Sequence, residues 1–265
     1  MTSETIPSGE PERLARPDGH TIAYRKTVGH ATGPGVVWLS GFKSDMGGTK
    51  AQALAAWAAR TGRALTLFDY FGHGRSSGAF AEGTVSRWLD DALAVLDELT
   101  VGPQVLVGSS MGGWIAALAA LQRPERVKGM LLIAPAADFT EALIWENAPD
   151  EVKRAILERG VWERPSAYDP DPYPITRGLI EDGRRHLILG GAIDVRCPVR
   201  VLHGMADPDV PWTHGMRLVE RLVSEDVVVQ LVKHGDHRLS TPADIARMCG
   251  VLEELQKTHV MAGQA

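Results

Sequence analysis

Residues 104–114 read Q-V-L-V-G-S-S-M-G-G-W, an apolar run followed by two serines, a glycine pair and a tryptophan. Within them Gly108-Ser109-Ser110-Met111-Gly112 fits G-x-S-x-G, the spacing of an elbow at which a strand turns sharply into a helix and lifts the central hydroxyl above the sheet. That spacing makes Ser110 the candidate nucleophile and Ser109 its neighbour. On this fragment alone a helix N-cap also accounts for G-S-S. A serine hydroxyl attacks a carbonyl only if a base takes its proton and a third group orients that base.

The chain offers both partners in the order that such an elbow requires, acid before histidine. H-G-M-A-D-P-D-V-P at 203–211 supplies Asp207 and Asp209, and K-H-G-D-H-R-L-S at 233–240 supplies His234, Asp236 and His237. Asp207 is favoured as the acid because it lies nearer the end of the preceding apolar run, whereas Asp209, between two prolines, suits a turn or cap. His237, beyond a glycine and entering the next helix, is favoured as the base; His234 at the strand end reads as structural. His203, Asp207, His234 and His237 are also residue types that bind zinc. The serine elbow upstream favours the triad, so no metal and no cofactor is expected.

Attack on a carbonyl also needs donors aimed at the developing oxyanion. The backbone N–H of Met111, next after the nucleophile, is one. The other is expected from S-G-F-K-S-D-M-G-G-T-K at 40–50, where Phe42 follows a turn-forming glycine. His73, in Y-F-G-H-G, is read as a turn residue packed beneath the site. Trp114, Phe139, Leu143, Ile144 and Trp145 are candidates for an apolar acyl pocket, although aromatic residues at helical spacing also suit a core.

These residues need a frame. Short apolar runs at 36–39, 64–68, 105–107, 130–133, 199–202 and 227–232 suit strands buried on both faces. Helical stretches at 50–59, 85–99, 111–121, 213–223 and 242–256 alternate with them, which implies a mostly parallel central sheet with helices on both faces. Residues 13–15 and 21–25, split by P-D-G, predict an antiparallel hairpin at one edge. Between about 136 and 191 no strand is expected; the stretch is too long for a plain crossover and predicts an inserted helical lid. Residues 1–10 are read as a disordered polar tail and 11–265 as one domain.

With elbow, acid and base in this order, the chain resembles the α/β-hydrolase superfamily over nearly its whole length. Within it, S-G-F-K-S-D-M-G-G-T-K-A, F-D-Y-F-G-H-G-R-S-S-G, V-G-S-S-M-G-G-W, H-G-M-A-D-P-D-V-P-W and K-H-G-D-H-R resemble the palmitoyl-protein thioesterase and acyl-glucuronide esterase group. The resemblance implies an α/β-hydrolase fold, Ser110, Asp207 and His237 as triad, Phe42 and Met111 at the oxyanion, and a small-molecule or acyl-thioester substrate. It departs from that group where a mitochondrial presequence would stand and is weakest in the lid. Acyl transfer or perhydrolysis on the same triad, and a non-catalytic binding role on the same fold, are the alternatives.

Composition removes other classes. The 265 residues are 44% hydrophobic and 23% charged with a formal net charge of −5, which provides a core but no basic surface for nucleic acid or an anionic membrane. No apolar run is long enough to span a bilayer. The first 13 residues hold three glutamates and no apolar run, unlike a secretion signal or transit peptide. The two cysteines, Cys197 and Cys249, form no CxxC pair, so reduced thiols and a cytoplasmic location are expected.

Overall fold

Strands with no polar face belong in the middle of a covered sheet, and the computed structural model, which describes residues 9–166 and 170–262, puts the expected ones there except 227–232, which forms a half-exposed edge strand. In chain order the strands are β1 (Glu12–Ala15), β2 (Thr21–Thr27), β3 (Gly35–Leu39), β4 (Leu65–Phe68), β5 (Gln104–Ser109), β6 (Val127–Ile133), β7 (Val161–Arg164), β8 (Tyr173–Thr176), β9 (Val199–Gly204) and β10 (Val227–Val232). The helices are α1 (Thr49–Thr61), α2 (Val85–Ala94), α3 (Met111–Gln122), α4 (Asp150–Arg159), α5 (Arg177–Gly183), α6 (Trp212–Val219) and α7 (Pro242–Ala262). The main sheet runs β1-β2-β4-β3-β5-β6-β9-β10. β1 and β2 are antiparallel to their neighbours and every other pairing is parallel.

β3, β4, β5 and β9 are buried at every residue, as runs covered on both sides should be. One face packs under α2 and α3 around Trp88, Leu96, Met111, Trp114 and Ile115. The other packs under α1 and α7 around Leu54, Trp57, Met248, Leu252 and Leu255. The expected helix at 85–99 is α2 followed by a π-helical turn, Val95–Leu99. The expected helix at 213–223 stops at Val219, because Leu222 leaves it to bridge Ile193.

The stretch between β6 and β9 departs from expectation. It holds a π-helical turn (Thr140–Trp145), α4 and α5, but also the β7–β8 ribbon, paired from Val161↔Thr176 to Arg164↔Tyr173. Prolines argue against a strand in mid-sheet, yet both strands of a two-stranded ribbon are edges, where Pro174 is tolerated. Two buried carboxylates hold this stretch, one closing its two ends on each other and one pinning it to α2. Asp138 accepts the N–H groups of Ile188 and Leu189, each at 2.9 Å. Asp182 accepts the N–H and the hydroxyl of Ser86, both at 2.8 Å. The expected tail at 1–10 lies outside the described residues except for Gly9 and Glu10.

Candidate active site

β5 delivers Ser110 at its C-terminal end with φ 54° and ψ −118°, a conformation that side chains adopt only under constraint. The constraint is local. The Ser110 N–H donates to Ile133 O at 2.9 Å, and its carbonyl accepts from Gly113 at 2.9 Å and Ala136 at 3.1 Å. The flanking glycines let three segments approach. A Cβ on Gly112 would lie 2.0 Å from the Leu39 carbonyl, and one on Gly108 2.4 Å from Gly112 O. Neither position admits any side chain.

β9 and β10 end beside this elbow and carry the other two groups. His237 Nε2 lies 3.0 Å from Ser110 Oγ, and His237 Nδ1 lies 2.8 Å from Asp207 Oδ2. The other oxygen of Asp207 accepts the N–H groups of Asp209 at 2.9 Å and Val210 at 2.8 Å. His203, fully buried, directs Nε2 at Val210 O at 2.9 Å and lies 3.5 Å from Asp207 Oδ2. Burial alone would raise the Asp207 carboxyl. Hydrogen bonds from His203, His237 and Val210, with the charge of His237, outweigh it and hold the group well below the usual carboxylate range. An ionised Asp207 requires the proton of His237 on Nδ1, which leaves the Nε2 lone pair facing Ser110.

The remaining candidates separate clearly. Asp209 lies 3.8 Å from Arg164 of β7, which ties the insertion to the acid's loop. His234 is exposed, and Asp236 accepts the Leu239 N–H at 2.9 Å within the loop that carries His237. Of the groups suited to a metal, only Asp207, Asp209 and His237 come together among the described residues, and they belong to the hydrogen-bonded chain from Ser110 to Asp207 or to its loop.

A cavity of about 320 Å³ opens over Ser110 and His237. Phe42 and Met111 line it, and among the described residues neither of their N–H groups has a protein acceptor. Met111 is the first residue of α3, so its N–H also lies at the positive end of the helix dipole. Phe139, Leu143 and Ile144 line the wall, joined by Tyr173 and Ile175 of β8. Trp114 and Trp145 do not. Trp114 is fully buried behind Phe139 and donates Nε1–H to His186 O at 3.2 Å. Trp145 packs half-buried against the core, under the guanidinium of Arg184 at 4.9 Å.

Sequence reasoning missed three wall or support residues. Tyr173 and Ile175 were hidden in a proline-rich stretch. Lys50 donates to Arg238 O and lies 3.5 Å from Ser240 Oγ, so the start of α1 grips the loop of His237. Burial, aided by the charge of Arg238, pushes the Lys50 ammonium down to about 8. Its position in S-D-M-G-G-T-K at a helix start was the available signal.

The chain is similar to several known proteins. Residues 34–163 match the family described as serine aminopeptidase, S33. Palmitoyl-protein thioesterase ABHD10, mitochondrial, of Homo sapiens is 40% identical over 243 residues, which cover 91% of this chain and 78% of that protein. The counterpart of Pongo abelii is 41% identical over the same extent. The crystal structure of a hydrolase from Agrobacterium vitis S4 superposes with a TM-score of 0.89 at 45% identity, covering 93% of this chain and 98% of that one. Alpha/beta hydrolase domain-containing protein 10 from mouse gives 0.87 at 38% identity, covering 94% and 99%. On this degree of identity and structural likeness, the chain belongs to the α/β-hydrolase superfamily, in the family of ABHD10.

Proposed function

We propose that the protein hydrolyses carboxylic esters or thioesters through an acyl-Ser110 intermediate. The observation that carries this reading is the continuous chain from Ser110 Oγ through His237 to Asp207, with links of 3.0 and 2.8 Å, opening on a partly apolar cavity. His237 Nε2 takes the Ser110 proton as Oγ attacks the acyl carbon, and Asp207 stabilises the imidazolium that forms. The N–H groups of Phe42 and Met111 receive the oxyanion, where each donor supplies about 3–4 kcal/mol. Collapse expels the alcohol or thiol. An alcohol needs the proton back from His237, whereas a thiol, with a pKa of about 8.5, leaves with little help. Water then repeats the sequence on the acyl-serine.

The names of the relatives support the thioester half of this reading. Phe139, Leu143, Ile144 and Ile175 supply an apolar wall on which an acyl chain can lie. The decisive experiment is a turnover panel of p-nitrophenyl esters and S-acyl thioesters of increasing chain length. Turnover of either series by the wild type, and its loss in Ser110→Ala, is the expected result. Equal turnover by Ser110→Ala would overturn the mechanism, and product released to an added alcohol or amine rather than water would make the protein an acyltransferase.

A further inference from the structure

The two edges of the main sheet are built differently. β1 is four residues, E-R-L-A, half of them charged, and short charged strands resist pairing with another chain. β10 at the opposite edge reads V-V-V-Q-L-V, six residues with neither charge nor proline. It pairs with β9 on one side and stands last in the strand order, so on its outer side alternate N–H and C=O groups face no strand among the described residues. Val228 is 42% exposed and Leu231 39%, and Met205, whose N–H donates to Val232 O, is 42% exposed beside them.

Charges of opposite sign flank this apolar strand. Glu225 precedes it and Lys233 follows it; both are exposed, and among the described residues neither makes an ion pair. Two copies of one strand can pair antiparallel only about a two-fold axis perpendicular to the sheet. That axis preserves the sheet's faces, so residues placed opposite each other must point to the same side. An axis through Val229 sets Leu231 against Val227, Val228 against Gln230, and Glu225 against Lys233 of the second copy. An axis through Gln230 sets Lys233 against Val227 and Asp226 against His234. Asp226 is already held by Arg200 at 2.7 Å, so the charges favour the axis at Val229.

We propose that β10 is a self-association edge. Two copies of the chain pair through it antiparallel about Val229, with Glu225–Lys233 ion pairs at both ends and one sheet running through both subunits. The inference is independent of the catalytic reading, since it uses no residue of the cavity.

Sedimentation of the full chain over a concentration series tests it. The wild type should form a reversible dimer, and Glu225→Lys and Lys233→Glu should each weaken it by ~10-fold or more, because two exposed pairs become repulsive. Mixing the two variants should restore association, since every pair in the heterodimer is again of opposite sign. Val229→Cys should cross-link to itself on oxidation, because Cα atoms opposite one another in an antiparallel pair stand ~4.5–5.5 Å apart, within disulfide reach. Wild type, with Cys197 and Cys249, is the blank, and unchanged thermal stability in each variant excludes misfolding. A monomer at every concentration, a dimer indifferent to both charge reversals, or self-cross-linking of Gln230→Cys instead of Val229→Cys would overturn the proposal.

Discussion

The main-chain N–H of Lys43 donates to His73 Nε2 across 3.2 Å, so an imidazole beneath the site holds the residue next to Phe42. The ring's other nitrogen faces the Phe71 carbonyl at 3.1 Å, which fixes the proton on Nδ1 and leaves Nε2 as the acceptor. Burial, helped by the charge of Lys43, pushes the ring down to about 4 despite the bond to Phe71, so it is neutral at neutral pH. Lys43 itself has φ 61°. A left-handed conformation costs a non-glycine residue about 1–2 kcal/mol, and the His73 bond is one of the contacts that offsets it.

Replacing His73 by Phe keeps a ring and removes the acceptor. The expected result is a kcat lowered ~10-fold with KM little changed, less than the ~10²–10³ for outright loss of an oxyanion donor. Affinity for a trifluoromethyl ketone should fall in parallel, while affinity for the acid product should not. His73→Gln, whose amide oxygen can accept, should recover part of the loss. A proportionate rise in KM with unchanged kcat would remove the positioning role.

Ser110→Ala should abolish labelling by a fluorophosphonate, and Ser109→Ala should leave it largely intact. Binding and the oxyanion donors alone can still leave a residual ~10³-fold acceleration over water in the first variant. Equal labelling of the two would move the nucleophile.

Asp207→Asn removes the charge that dictates the His237 tautomer, and a loss of about 10⁴-fold in kcat is expected from the precedent of such triads. Asp209→Asn keeps the side-chain shape and removes the charge that faces Arg164, so its loss should stay within ~10-fold. Steady-state kinetics on one ester ranks the pair; the reverse order would reassign the acid.

Asp91 is buried at 5% exposure and accepts the Phe71 N–H at 2.7 Å. Burial pushes its carboxyl up to about 7, against the pull of that bond and of Arg16 and Arg87. The unfolded chain ionises the same group near ~3.9, so between these values the folded state binds the extra proton and stability falls as pH rises. Asp91→Asn titrates in neither state and keeps an acceptor. Its advantage over wild type should therefore grow from pH ~4 to ~7 and then level, reaching on the order of 4 kcal/mol. Denaturant melts across that range check it; a constant difference would show that Asp91 does not titrate.

The parts legible in the sequence were those whose cause is contiguous. Gly108 to Gly112 carries the elbow and its packing in five residues, and the runs at 199–202 and 227–232 announce strands whose exits must hold Asp207 and His237. What stayed hidden depends on partners far along the chain. His73 supports the oxyanion loop through Lys43, thirty positions away. Trp114 suits core or pocket by sequence alone, and the bond from its indole N–H to His186, seventy-two positions on, places it in the core. Pro174 masked β8 because nothing local reveals that its only partner strand among the described residues is β7.

Asp138 takes the Ile188 and Leu189 amides at the point where the insertion has just left β6, and so ties its return to its departure. The intervening residues hang from the sheet as a cassette with adjacent ends. Since closure entropy grows only as the logarithm of loop length, changing the cassette's length adds little closure cost, and what a replacement must reproduce is the packing of Ile156, Ile175 and Leu179 against the core. Substrate range can then evolve in a segment that supplies walls to the cavity and none of the three groups of the triad.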